Sequence, residues 1–185
     1  ELTAFEFANR LALDFVIKHI PGSRAPLDAD SPWHVLLEVG TARESADTAA
    51  DLERFLGRML EQGTVTDGMV AGSGAQRDAL WRLRHNMSEA QKIEGASIKH
   101  DISVPVSKVG EFVARASAWA ESAVPGVRVI AFGHLGDGNV HFNLSQPADA
   151  DPAAFLARWD EIAAQIHQIA VDFGGSFSAE HGIGS

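Results

Sequence analysis

Residues 129 to 143 constrain the chain more than any other stretch: Val-Ile-Ala-Phe-Gly-His-Leu-Gly-Asp-Gly-Asn-Val-His-Phe-Asn. An apolar run ends at His134. A glycine-rich turn follows (Gly136, Asp137, Gly138, Asn139), and a second alternating run carries His141 and Asn143. Apolar run, Asp-Gly turn and apolar run together predict a β-hairpin. The turn folds the two histidines back toward each other at one end of it. His141 and Asn143 lie two apart, so a strand sends both side chains to one face. Two imidazoles and an amide then converge beside glycines that let other groups approach closely.

A second polar cluster closes the chain. Residues 176 to 184 read Ser-Phe-Ser-Ala-Glu-His-Gly-Ile-Gly. Glu180 and His181 are adjacent and point opposite ways in an extended backbone. One of them is placed to complete a site of two histidines and a carboxylate, and the other then faces a different chamber. Two His and one carboxylate with open positions suit a divalent ion that also binds substrate. The spacing is not a standard zinc signature, and surface or hydrogen-bonded histidines fit it equally.

Composition narrows the function classes. The length of 185 residues is enough for one domain with a substantial core, or two small ones. A net charge of −10 argues against nucleic acid as a main partner, because phosphate binding needs a basic face. There are no cysteines, which excludes disulfides and thiolate chemistry. No apolar run reaches membrane-spanning length, and the opening residues do not read as a signal peptide. The expected location is the cytoplasm, with peripheral membrane association compatible. The first residue is Glu1 and the last, Ser185, follows a glycine-rich motif, so the chain is expected to be a fragment of a longer protein.

Periodicity sketches the elements. Residues 2 to 18 read as a helix with Thr3 as N-cap. A turn-rich loop spans 20 to 32, and residues 34 to 39 read as a strand. A helix over 45 to 61 and a weak strand over 64 to 71 follow. Residues 75 to 92 read as one helix. In it Arg84 has no carboxylate three or four residues away. Arg84 and Ser88 lie four apart on one helical face, so jointly they suit a carboxylate from elsewhere, although a solvated arginine fits the spacing too. Residues 96 to 104 alternate Ile98, His100, Ile102 and Val104 against Ser97, Lys99, Asp101 and Ser103, which is strand periodicity; Lys99 is either an edge charge or part of an anion pocket. A helix over 106 to 122, the hairpin over 127 to 144, a helix over 153 to 173 and a strand over 176 to 181 complete the order. His167, within the last helix, reads as structural. The pattern predicts an α+β fold, a mainly antiparallel sheet with helices packed on one face. No dinucleotide fingerprint or Walker A loop is present.

Four stretches together resemble a known family. They are residues 80 to 84 (Leu-Trp-Arg-Leu-Arg), 98 to 105 (Ile-Lys-His-Asp-Ile-Ser-Val-Pro), 133 to 141 (Gly-His-Leu-Gly-Asp-Gly-Asn-Val-His) and 179 to 184 (Ala-Glu-His-Gly-Ile-Gly). The set is similar to the C-terminal domain of FAD-linked 2-hydroxy-acid dehydrogenases. That group includes D-lactate dehydrogenases, the glycolate oxidase flavin subunit and the D-2-hydroxyglutarate dehydrogenases, whose Lys-x-Asp-x-Ser-x-Pro stretch is the nearest match. The resemblance covers nearly the whole chain in the right order. It implies a ferredoxin-like cap domain that covers an FAD held mainly by a separate N-terminal domain. It implies that His134, His141 and Glu180 bind a divalent metal, zinc or manganese. Asn143 and His181 then lie beside the substrate, with His181 as general base, and Arg84, Ser88 and Lys99 hold its distal carboxylate. The family's hydroxyl at position 88 is often Thr, and its motif continues past the closing glycine. The implied partners are a small 2-hydroxy acid and an electron acceptor such as a flavoprotein, quinone or cytochrome, with a homodimer as the candidate assembly.

Three function classes compete on these residues. The first is the substrate- and metal-binding half of a flavin dehydrogenase. The second is a non-catalytic metal-binding module, which needs no base at His181. The third is a metal-dependent hydrolase, which needs no flavin.

Overall fold

A computed structural model describes residues 1–28, 30–42 and 47–179. Among these, six strands form one antiparallel sheet: β1 (Leu2–Asn9), β2 (Trp33–Val39), β3 (Ser97–Ile98), β4 (Asp101–Ser103), β5 (Arg128–His134) and β6 (Asn139–Ser145). The order is β2-β1-β5-β6-β3, and β4 also pairs with β6. The helices are α1 (Arg10–His19), α2 (Thr48–Glu61), α3 (Gly74–His85), α4 (Met87–Ile93), α5 (Val109–Ala123), α6 (Pro152–Leu156) and α7 (Trp159–Asp172). The α+β class and the antiparallel sheet are as the sequence predicts.

The helices divide between two faces of the sheet rather than packing on one. Neighbouring strand residues point oppositely, and each face buries its own cluster. Phe7, Ala131, Val140, Phe142 and Leu144 pack with α5 and α7. Ala8, Ile130 and Phe132 pack with α1, Leu83 of α3, and Met87 and Ala90 of α4. β5 is apolar on both sides, so it must be covered on both sides.

Three expected helices and three expected strands take other forms, one of the strands at the site described below. The helix expected over 2 to 18 is a strand followed by a helix. Phe5 and Phe7 alternate about Glu6, and β1 is paired by β2 on one side and β5 on the other. Asn9 makes the switch: its Oδ1 accepts from Ala12 N at 3.1 Å as helix cap, and its Nδ2 donates to Val129 O at 2.8 Å. The helix expected over 75 to 92 breaks at Asn86, whose Nδ2 donates to Arg82 O at 2.7 Å and competes for a helix carbonyl. The helix expected over 153 to 173 divides into α6 and α7. Residues 64 to 71 form no strand. Ser176 makes a single bridge to Ser103 in place of a closing strand; residues 180 and 181 lie outside the described residues.

Glu94, at the end of α4, ties three elements together. Its buried carboxylate accepts from Lys18 and His19 at the end of α1 and from Arg128 of β5. Burial alone would raise this carboxyl, but the three hydrogen bonds outweigh it and hold it at about 2. A depressed carboxyl stabilises the fold above its unfolded value of 4.5, and that contribution is lost as pH falls through about 2. Glu94→Gln is therefore expected to lower unfolding stability at pH 7 by roughly 3 kcal/mol. In urea unfolding followed against pH, the gap to the parent should close below about pH 4.5.

Candidate functional site

The hairpin delivers what its spacing predicts. Phe132 faces His141 and Ile130 faces Asn143 across β5 and β6. The His134 and His141 rings lie 6.0 Å apart at 74°. At Gly138 the turn between them has no room for a side chain. A Cβ on Gly138, where φ is +79°, would sit 2.0 Å from the Val104 carbonyl oxygen, and the Gly138 carbonyl accepts from Val104 N at 3.0 Å.

His134 is held from β1. Its register partner is Glu6, and its Nδ1 donates to Glu6 Oε1 at 2.7 Å. A proton on Nδ1 makes Nε2 the lone-pair nitrogen, the arrangement that suits a metal ligand. The other Glu6 oxygen accepts from Arg84 Nε of α3 at 2.8 Å. Both members of this ion pair are nearly buried, with side chains 11% and 6% exposed. The Arg84 guanidinium also stacks over Phe132 at 5.1 Å, and its Nη2 is buried with no partner among the described residues.

The strand expected over 96 to 104 is interrupted at Lys99 and His100. Ser97 faces Ser145 and Ile98 faces Leu144; pairing resumes in the same register at Asp101 with His141. The Phe142 backbone N–H still donates to the His100 carbonyl at 3.0 Å, and side chains replace the other half of the ladder. The His100 imidazole Nδ1 donates to the Phe142 carbonyl at 2.7 Å, while the His100 backbone N–H turns to Asn143 Oδ1 at 3.2 Å.

A cavity of about 400 Å³ lies at this interruption. Ser88, Lys99, Asp101, Phe132, His141 and Asn143 line it from the α4 side of the sheet, and His100, His167 and Phe177 from the α7 side. Burial pushes His100 down to about 4, only partly offset by its bond to the Phe142 carbonyl. Burial also lowers His167. Both rings are thus neutral near pH 7. The proton on His100 Nδ1 leaves Nε2 as a lone-pair acceptor, and that atom is buried without a partner.

The expected site residues divide into three groups. Ser88, Lys99, Asn143 and His141 meet on the cavity. His134 pairs with His141 behind that wall, and Arg84 lies behind Phe132. Glu180 and His181 are outside the described residues. Arg84 and Ser88 do not share the one helical face expected of them, because the break at Asn86 places them on different helices. Among the described residues, no group of three or more His, Asp or Glu side chains is arranged to hold a metal. Sequence reasoning missed Glu6, Gln91 and the inward His100. A lone Glu between Phe5 and Phe7, and a His in phase with Ile98 and Ile102, are the signals that point to burial.

Known proteins place this architecture. All of residues 1–185 match the family described as FAD linked oxidases, C-terminal domain. The chain belongs to that family. It is similar to the D-2-hydroxyglutarate dehydrogenase of Xanthomonas citri pv. viticola, at 39% identity over 99% of this chain and 38% of the relative. It is also similar to that of Stutzerimonas stutzeri, at 36% over 100% and 39%, and to the mitochondrial enzyme of Arabidopsis thaliana, at 33% over 99% and 31%. The chain thus spans between 31% and 39% of the length of these relatives. Because one relative is named as mitochondrial, cytoplasmic placement does not follow from the family. Among the described residues, no helix is long and apolar enough to cross a membrane.

The His100 environment is directly measurable. Because its folded value lies below the ordinary 6.5, the unfolded chain takes the proton first, and acid between 6.5 and about 4 weakens the fold. Long-range ¹H–¹⁵N NMR should find His100 as the neutral Nδ1–H tautomer at pH 7, titrating only near pH 4.

Proposed function

We propose that this chain is the substrate-binding part of an FAD-dependent dehydrogenase that oxidises a D-2-hydroxy acid to the 2-oxo acid. The observation that carries the proposal is the cavity at the interrupted sheet edge, where Ser88, Lys99, Asn143 and His141 converge. The names of the relatives make 2-hydroxyglutarate the first substrate to test.

The roles follow from the chemistry of each group. Lys99 supplies a positive charge and Ser88 a hydroxyl donor for the distal carboxylate of a dicarboxylate substrate. Arg84 adds its buried Nη2 from behind Phe132, while Glu6 holds its Nε. Asn143 offers an amide N–H to the hydroxy-acid end. His181, from the family resemblance, would take the hydroxyl proton, and bound FAD would supply the hydride acceptor for C2.

The family also implies a divalent metal, zinc or manganese, held by His134, His141 and Glu180. The two histidines fit that role. Rings 6.0 Å apart are within reach of one ion, and the bond to Glu6 sets His134 with its lone pair on Nε2. When bound, such an ion acidifies the substrate hydroxyl. The names of the relatives favour the dehydrogenase reading over a non-catalytic module.

Two measurements test the proposal. In the full-length protein loaded with FAD, D-2-hydroxyglutarate should bleach the flavin anaerobically with a higher kcat/KM than D-lactate. Lys99→Ala should lower kcat/KM for the dicarboxylate about 10- to 100-fold and leave D-lactate nearly unchanged. An unaltered preference would sink the assignment of Lys99. Separately, the dialysed protein should retain about one equivalent of zinc or manganese, and a His134→Ala, His141→Ala double variant should lose it.

A further inference from the structure

Asn143 belongs to a buried polar relay whose direction is fixed by the backbone. The His100 backbone N–H can only donate, so the Asn143 atom it meets at 3.2 Å must be the oxygen. Asn143 Nδ2 must then be the atom that meets Gln91 at 2.9 Å, and Gln91 must offer its oxygen there. The Gln91 nitrogen is left to donate to Ser145 Oγ at 3.0 Å. Neither amide has a choice of orientation. Gln91 and Ser145 are 0% exposed, and Asn143 and His100 are each 4% exposed.

One Asn143 amide hydrogen is committed to Gln91. The second takes no part in the relay, and Asn143 lines the cavity. A glutamine in a dry core costs free energy unless both ends are bonded, so its presence between α4 and β6 calls for a role. Gln91 itself does not line the cavity.

We propose that Gln91 is a positioning residue: it holds the Asn143 amide so that its remaining N–H faces the ligand, with Ser145 fixing Gln91 in turn. The proposal rests on the reading that Asn143 touches substrate. It adds a residue on α4 that sets affinity for the hydroxy acid without contacting it.

The test uses the full-length, FAD-loaded protein with D-2-hydroxyglutarate. Gln91→Met removes both hydrogen bonds and keeps the side-chain length. It should raise KM about tenfold and leave kcat within about twofold. Gln91→Glu keeps an acceptor toward Asn143 and lets the Ser145 hydroxyl donate to the other oxygen, so it should restore KM most of the way. Adding Gln91→Met to Asn143→Ala should raise KM no further, because the group being positioned is already gone. If Asn143→Ala raises KM but Gln91→Met only lowers Tm, Gln91 is structural and the proposal is overturned. Additive effects of the two changes overturn it as well. If Asn143→Ala itself leaves KM unchanged, the site assignment of Asn143 fails, and Gln91 loses its role for that separate reason. Should Gln91→Met not fold, Ser145→Ala removes only the far end of the relay and should raise KM about two- to threefold; no change there overturns the proposal.

Discussion

β6 is hydrogen-bonded along both edges, to β5 on one side and to β3 and β4 on the other, and this double pairing governs the site. Val140, Phe142 and Leu144 are 0% exposed beneath α5 and α7. A slip of one residue would bring His141 and Asn143 into that core and turn three large apolar groups outward. The register is therefore fixed by burial on one face, and the polar face inherits its precision. His141 and Asn143 need no local device to bring them together; the core behind them does it.

The interruption at Lys99 and His100 is the exception that opens the sheet. An unbroken β3–β4 strand would close its edge against β6. The chain instead exchanges partners, with an imidazole taking a carbonyl and an amide side chain taking a backbone N–H. Both groups in the exchange stay bonded, and the Phe142 backbone N–H still donates to the His100 carbonyl at 3.0 Å. The unpartnered atoms nearby are on side chains, His100 Nε2 lining the cavity and Arg84 Nη2 behind it. Interior polar atoms left without partners commonly await a ligand or an ordered water.

How much of this was legible depended on whether a signal was local. The hairpin carried its own turn chemistry in Gly136, Asp137 and Gly138 and its own alternation, so its strands, its register end and the meeting of His134 with His141 could be read directly. β1 could not. Its period-two apolar pattern runs without a break into the helical pattern of α1, and Asn9, which separates them, is recognisable as a cap only once the strand is known. The break at Asn86 was hidden because asparagine within a helical run competes for one carbonyl without a glycine or proline to announce it. Arg84 was judged by carboxylates three and four residues away, whereas its partner is Glu6, 78 residues distant in sequence. Pairings of that separation belong to topology, and a local window does not see them. Glu180 and His181 lie outside the described residues, so the family resemblance alone speaks for them.

Glu6 is a shared resource between two of the groups that matter most. One oxygen holds Arg84 and the other holds His134, so a single negative charge is divided between a cation on α3 and an imidazole on β5. An incoming anion that drew Arg84 toward itself would leave more of that charge to the imidazole. The Nδ1–H bond would strengthen, and the opposite ring nitrogen would become a better electron donor. Occupancy at one end of the site and electron donation at the other would then rise together, conveyed by one carboxylate and with no movement of the backbone.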